Sequence, residues 1–262
     1  MKLNLVCVDL GNTYLHGGAF IGSELIAEHS TATDTIQADP RKLASMIEDL
    51  APLGKGPWHA AFCSVVPNIN SQLNALLSSR FETVFELSAS SCIGLPIASC
   101  NPEEVGADRL ANAIAAQTYH GTPAIVIDLG TATTFDVIGS KSGYEGGIIA
   151  PGLSLMTEYL AERTALLPQL KPHLSIPDDI IGRSTHDAMQ LGCSLGFPSM
   201  IEGILNPLKK ELAIKEGKEP KLVLTGGTAE NLNQALDVDL PIDPILTLRG
   251  LAEAFRRDQV RH

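Results

Sequence analysis

Apolar residues fall in short runs punctuated by glycine, proline and asparagine, and near-continuous runs alternate with helically spaced ones. Leu3 to Leu10 is almost unbroken, which predicts a buried strand, and Gly11-Asn12 predicts a tight hairpin turn behind it. Residues 17–20 and 24–29 read as two more strands joined through Gly22-Ser23. Leu43, Ile47 and Leu50 share a helical face behind an Asp-Pro start, predicting a helix over 40–50. A strand over 59–66, a helix opened by Pro67 and running through Leu77, and a strand over 83–87 follow. A loop over 89–104, carrying Pro96 and Pro102, delivers the chain to a helix of small residues over 105–117, VGADRLANAIAAQ.

The pattern then restarts. Residues 124–129 and 133–138 predict strands around a Gly130-Thr131 turn, with a third strand over 144–149 and a helix from about Leu153. A long helical region over 184–214 is expected to break near Gly196-Phe197-Pro198. A strand over 221–224 runs into Thr225-Gly226-Gly227, one helix starts at Thr228 and the last near Arg249. The segments LVCVDLGNTYLHGGAF and AIVIDLGTATTFDVIG align as strand, Asp-Leu-Gly turn and strand. A repeat this long predicts two similar α/β halves, divided here as 1–117 and 118–262.

A strand that ends in Asp and turns at once through Gly can aim backbone N–H groups and hydroxyls at phosphate oxygens. Thr13 in the first turn and Thr131, Thr133 and Thr134 in the second are the hydroxyls available. One such turn alone is most simply an ordinary hairpin; two in duplicated contexts, with a distant TGG to lie against a nucleoside, predict a triphosphate clamp. The chain has neither the G-x-x-x-x-G-K-[ST] pattern of a P-loop nor G-x-G-x-x-G after a strand. Asp108 opens the small-residue helix. It can simply complement the helix dipole, with Gly106 letting the chain turn in, or take a proton from a substrate hydroxyl while Arg109 holds a substrate carboxylate. Ser184 or Thr185 can cap the helix that follows, and His120 and His186 read as surface or helix-end residues.

Composition narrows the partners. Of 262 residues, 44% are hydrophobic, yet no run reaches the roughly 18 residues of a membrane-spanning helix. Asp9 interrupts the first apolar run before it could serve as an export signal, so no membrane role is expected. With 19 basic against 30 acidic residues the net charge is −11, which argues against nucleic acid as a partner. An anionic ligand would have to be held by backbone amides and cations. The five cysteines, Cys7, Cys63, Cys92, Cys100 and Cys193, form no C-x-x-C pair and read as buried thiols of a reducing cytoplasm, with no zinc site.

DLGNT at 9–13, SVVP at 64–67, NPEEVGADRLANAIAA at 101–116 and IDLGTATTFDV at 127–137 resemble type III pantothenate kinases of the actin, hexokinase and Hsp70 superfamily. GGIIAPGL at 146–153, ERTALLPQL at 162–170, IGRSTHDAMQLG at 181–192 and LTGG at 224–227 extend the resemblance, in order, through almost the whole chain. It implies duplicated actin-like (ribonuclease H-like) α/β domains with the active site in the cleft between them, and ATP-dependent phosphorylation of pantothenate, the first step of coenzyme A biosynthesis. It further implies that Asp108 is the catalytic base and that Gly106, Ala107, Asp108 and Arg109 contact pantothenate. Asp9, Leu10, Gly11, Asn12, Thr13, Tyr14, Leu15, His16 and Thr131 would bind ATP, with magnesium beside Asp9. Asp128 would hold a monovalent cation, K+ or NH4+, and Thr185 would reach pantothenate from the partner subunit of a homodimer with composite sites. The family's usual Tyr before Asn-Pro is replaced here by Ser99, followed by Cys100, and Tyr14-Leu15-His16 stands where a small or polar residue is usual. A same-fold kinase for another small alcohol, or a non-catalytic nucleotide-binding accessory regulatory protein, remain as alternatives.

Overall fold

The computed structural model describes residues 3–39, 41–51, 57–98, 101–177, 179–236 and 239–260. Pro40, Ser99 and Cys100 lie outside the described residues. The chain forms two compact units, each built on its own sheet.

In the first unit, β1 (Asn4–Leu10), β2 (Tyr14–Ile21) and β3 (Glu24–Ala32) form an antiparallel meander. Helices α1 (Thr33–Ala38) and α2 (Arg41–Leu50) follow, and β4 (His59–Ser64) returns parallel to β1. After α3 (Pro67–Arg80), β5 (Val84–Glu86) pairs with β4, giving the order β3-β2-β1-β4-β5. Central β1 and β4 are apolar because they are covered on both faces; Val6, Val8, Leu10 and Phe62 pack with Leu43, Ile47, Leu73 and Leu77. Helix α1 has no counterpart among the elements read from the apolar pattern. It is six residues long with one apolar anchor, Ile36, too short for a period to show.

The second unit repeats the plan. Strands β6 (Ala124–Leu129), β7 (Ala132–Gly139) and β8 (Gly143–Pro151) precede α5 (Leu153–Arg163) and α6 (Thr185–Glu216). Strand β9 (Lys221–Thr225) joins parallel to β6, so the order β8-β7-β6-β9 echoes β3-β2-β1-β4, and α7 (Ala229–Leu236) follows. The expected break in α6 is absent: the helix runs through both Pro198 and Pro207. A proline inside a helix costs about 3 kcal/mol, and here Phe197, Pro198, Ile201 and Leu205 are all buried, which offsets it.

Helix α8 (Leu246–Gln259) starts three residues earlier than expected and packs in the first unit, which therefore combines residues up to Tyr119 with 141–144 and 245 onward. A single division at 117/118 does not describe this return. The cause is local fit against α4 (Ala107–Ala115): a methyl group on Gly250 would overlap the Ala111 carbonyl, and Thr247 Oγ1 donates a 2.8 Å hydrogen bond to the fully buried Asn112. Helix α4, which carries Asp108, is thereby held against α8 at its middle, Ala111 and Asn112.

Candidate active site

Asp9 is the second-last residue of β1, in register with His16 of β2 and Cys63 of β4. The Cys63 thiol donates to Asp9 Oδ1 at 3.3 Å. Leu10 and Leu15 point into the core, so only their backbones can serve a ligand, whereas Asn12, Thr13 and Tyr14 are exposed. The turn is closed by a 3.0 Å bond from the Gly11 amide to the Tyr14 carbonyl. Buried Thr33, the first residue of α1, braces it: its hydroxyl donates to the Gly11 carbonyl at 2.7 Å and its amide to the Thr13 carbonyl at 2.8 Å. His16 Nε2 lies 2.7 Å from Glu28 on the neighbouring strand.

The second hairpin copies this register. Asp128 of β6 pairs with Thr134 of β7 and Thr225 of β9, the positions that His16 and Cys63 hold around Asp9. Of its threonines, Thr131 is exposed; Thr133 is buried with its hydroxyl 3.4 Å from the Pro151 carbonyl, and the Thr134 hydroxyl is 3.5 Å from Asp136. Gly226, at φ +88°, approaches so closely that a methyl group there would come within 2.7 Å of Asp128 Oδ1. Gly152 seals the other side: its amide donates to the Thr131 carbonyl at 3.0 Å, and a methyl group there would overlap the carbonyls of Gly130 and Thr131.

Asp108 stands on the first turn of α4, partly buried, with Oδ1 accepting 2.8 Å from the Arg109 amide. Gly106 has an ordinary extended conformation, φ −55° and ψ 135°, so it is not needed for the turn. What it supplies is room: a methyl group there would lie 2.5 Å from Asp108 Oδ1. Burial pushes the Asp108 carboxyl above its ordinary value, against the opposing pull of the Arg109 amide and guanidinium. Fully buried Cys63 is held well above the ordinary thiol range, first by burial and then by the charges of Asp9 and Asp108. The first unit thus brings Asp9 and Asp108 to bear on one protonated thiol. Neither Cys63 nor Thr33 stood out in the sequence as part of this site. The signal was strand pairing, which sets Cys63 beside Asp9, and no local motif carries it.

At the start of α6 the capping role falls to Ser184, whose Oγ accepts 3.1 Å from the Asp187 amide, leaving Thr185 exposed and not needed for the cap. A cavity of about 450 Å³ in this unit is lined by His173, Ile181, Arg183, His186 and Leu191, among others. His120 sits at a helix end as expected, but it is half-buried, with Nε2 3.3 Å from the buried carboxylate of Asp243. Exposed His186 lies 3.8 Å from Asp187. Cys7, Cys63, Cys92 and Cys193 are free thiols. Among the described residues no helix is long and apolar enough to cross a membrane.

Duplicated sheets, each ending in an Asp-Leu-Gly hairpin, define a protein of the actin-like ATPase and sugar-kinase fold. Two solved structures share that fold at low identity. A conserved Campylobacter jejuni protein assigned to the Baf family superposes with a TM-score of 0.61 at 19% identity, covering 97% of this chain and 99% of its own. An ethanolamine utilization protein from Carboxydothermus hydrogenoformans gives 0.54 at 17% identity, covering 97% and 90%. The sequence is more specific. The family model of type III pantothenate kinases matches residues 5–207. The type III pantothenate kinase of Streptomyces griseus is 34% identical over 267 residues, covering 98% of this chain and 99% of the relative, and that of Phenylobacterium zucineum is 38% identical over 263, covering 98% and 99%. The chain belongs to the type III pantothenate kinase family and catalyses ATP-dependent phosphorylation of pantothenate in coenzyme A biosynthesis.

Proposed function

We propose that Asp108 is the general base of this reaction, accepting the proton of the pantothenate primary hydroxyl as it attacks the γ-phosphate. The supporting observation is a rigidly carried, partly buried carboxylate whose proton affinity is raised by its surroundings, next to a hairpin suited to phosphate. Gly106 and Ala107 bring the α4 backbone to the substrate, and Arg109 grips its carboxylate. The exposed turn of Gly11 to Tyr14, with Thr131 of the second hairpin, holds ATP through amides and hydroxyls. The reaction takes place in the cytoplasm.

The two hairpin aspartates are the cation ligands. No cluster of three or more His, Cys, Asp or Glu suited to a metal occurs among the described residues, so each ion would rest on one carboxylate and on ATP oxygens. That donor set fits: magnesium at nucleotide sites keeps most of its water and takes one or two carboxylates, and Asp9 presents oxygen beside a thiol that stays protonated. Asp128, enclosed by Gly226 and β9, suits a weakly hydrated K+ or NH4+. When bound, the ions neutralise charge on the phosphates, a need made acute by a net charge of −11 and by phosphate hairpins, 9–14 and 128–134, that contain no Lys or Arg. Turnover is therefore expected to rise on adding potassium or ammonium to enzyme assayed in Tris with magnesium held constant. Equal rates with and without the monovalent ion would remove Asp128 from this role.

The enzyme works as a homodimer in which Thr185 completes the partner's pantothenate site. Exposure of Thr185 beside a functioning Ser184 cap supports this, as do Tyr159, Leu160, Ile180, Ile181 and Leu195, large apolar residues exposed in the same unit. Asp108→Asn and Thr185→Val, each inactive alone, are expected to recover roughly a quarter of wild-type activity when co-expressed, since random assortment leaves one intact site in each mixed dimer. A fully active monomer by light scattering would contradict the arrangement.

A further inference from the structure

Residues 141–144 belong to the first unit, although the rest of β8 lies in the second. Backbone stitching holds the end of that excursion in place. The Tyr144 amide donates to the Pro96 carbonyl at 2.8 Å, the Ala98 amide donates to the Tyr144 carbonyl at 2.8 Å, and Ile97 and Tyr144 form a parallel bridge. Gly143, at φ +71°, admits no side chain, because a methyl group there would overlap the Pro96 carbonyl. The result is a buried tyrosine, only 1% exposed, whose backbone is fixed by the remote segment 96–98.

The Arg109 guanidinium lies over that ring, 5.7 Å from its centroid. An aromatic face attracts a cation and aligns a planar guanidinium, whose N–H fork matches a carboxylate only in a limited set of orientations. Arg109 is itself on the first turn of α4, one residue from Asp108, in a helix that α8 holds at Ala111 and Asn112, so its base is fixed by the helix and its head lies on the ring.

We infer that Tyr144 is a positioning residue that holds the Arg109 guanidinium in the orientation that grips the substrate carboxylate, and so sets the preference for an anionic over a neutral substrate. This rests on the pantothenate reading above. Arginine alone would supply charge; the ring supplies direction.

The experiment compares kcat/KM for pantothenate with that for its alcohol analogue, in which CH2OH replaces the carboxylate, in wild type, Tyr144→Phe and Tyr144→Leu. The ratio of the two is expected to fall roughly threefold to thirtyfold in Tyr144→Leu, mainly through KM for pantothenate, and to be largely retained in Tyr144→Phe, which keeps the ring face. Tyr144→Met fills the volume without a ring and carries the same expectation if the leucine variant does not fold. In an Arg109→Met background, Tyr144→Leu should leave the ratio where it is. Equal losses for both substrates in Tyr144→Leu and Tyr144→Met would reduce Tyr144 to packing and overturn the inference while leaving the pantothenate reading intact. A wild type that uses neither substrate would overturn both.

Discussion

Asp108→Asn is expected to lower turnover by roughly 100- to 10,000-fold, the range typical of a lost general base, and to raise the melting temperature at neutral pH. Asparagine keeps the shape and the acceptor oxygen that takes the Arg109 amide, but cannot take the hydroxyl proton. The stability gain follows from the raised carboxyl of Asp108. An acid whose folded pKa exceeds its unfolded one contributes stability below the unfolded value and loses it as pH rises through the folded one. At neutral pH the ionised, partly buried carboxylate is therefore a net cost, and removing its charge relieves it. The gain should shrink as pH falls toward the ordinary carboxylate value of 3.8. Wild-type kcat/KM should rise with pH through a carboxyl pKa above that value. Turnover assays and thermal melts across pH check both halves, and a variant with near-full turnover would return Asp108 to a helix-dipole role.

Gly152→Ala is expected to cost about 3 kcal/mol, the upper end for forcing extra volume into a packed place, and to lower the melting temperature by roughly 6–12 °C. The added methyl would meet two carbonyl oxygens of the second hairpin, and backbone cannot move aside as a flexible side chain can. The surviving fraction should bind ATP more weakly, because the displaced residues, Gly130 and Thr131, form the turn proposed to hold phosphate. Thermal melts with and without ATP measure both effects. A melting temperature within a degree of wild type, with ATP stabilising it as usual, would show that α5 can back away freely.

The duplicated hairpins were legible because a strand's register is written in its local pattern: Asp-Leu-Gly marks the end of a buried strand twice, and both copies form the same pairing. Asp108 and Arg109 were legible for a similar reason, as the first turn of a helix that its small residues already outlined. What escaped depends on contacts between distant segments. Thr33 reaches back to Gly11, Cys63 becomes a partner of Asp9 only through parallel pairing, and α8 joins the first unit because Gly250 fits against Ala111. Pro198 reads as a breaker until its burial is known. Tyr144 looked like the first residue of an ordinary strand, and only the folded structure, with its backbone bonds to Pro96 and Ala98, sets its ring under the Arg109 guanidinium.

The most direct test of the whole account is coupled ADP release by the purified enzyme, with magnesium and potassium present, on pantothenate beside a panel of other small alcohols. The account predicts pantothenate-dependent release far above that with any other alcohol, with phosphate on the primary hydroxyl of the product, and its loss in Asp108→Asn. Release that is independent of pantothenate, or faster with another alcohol, would contradict it.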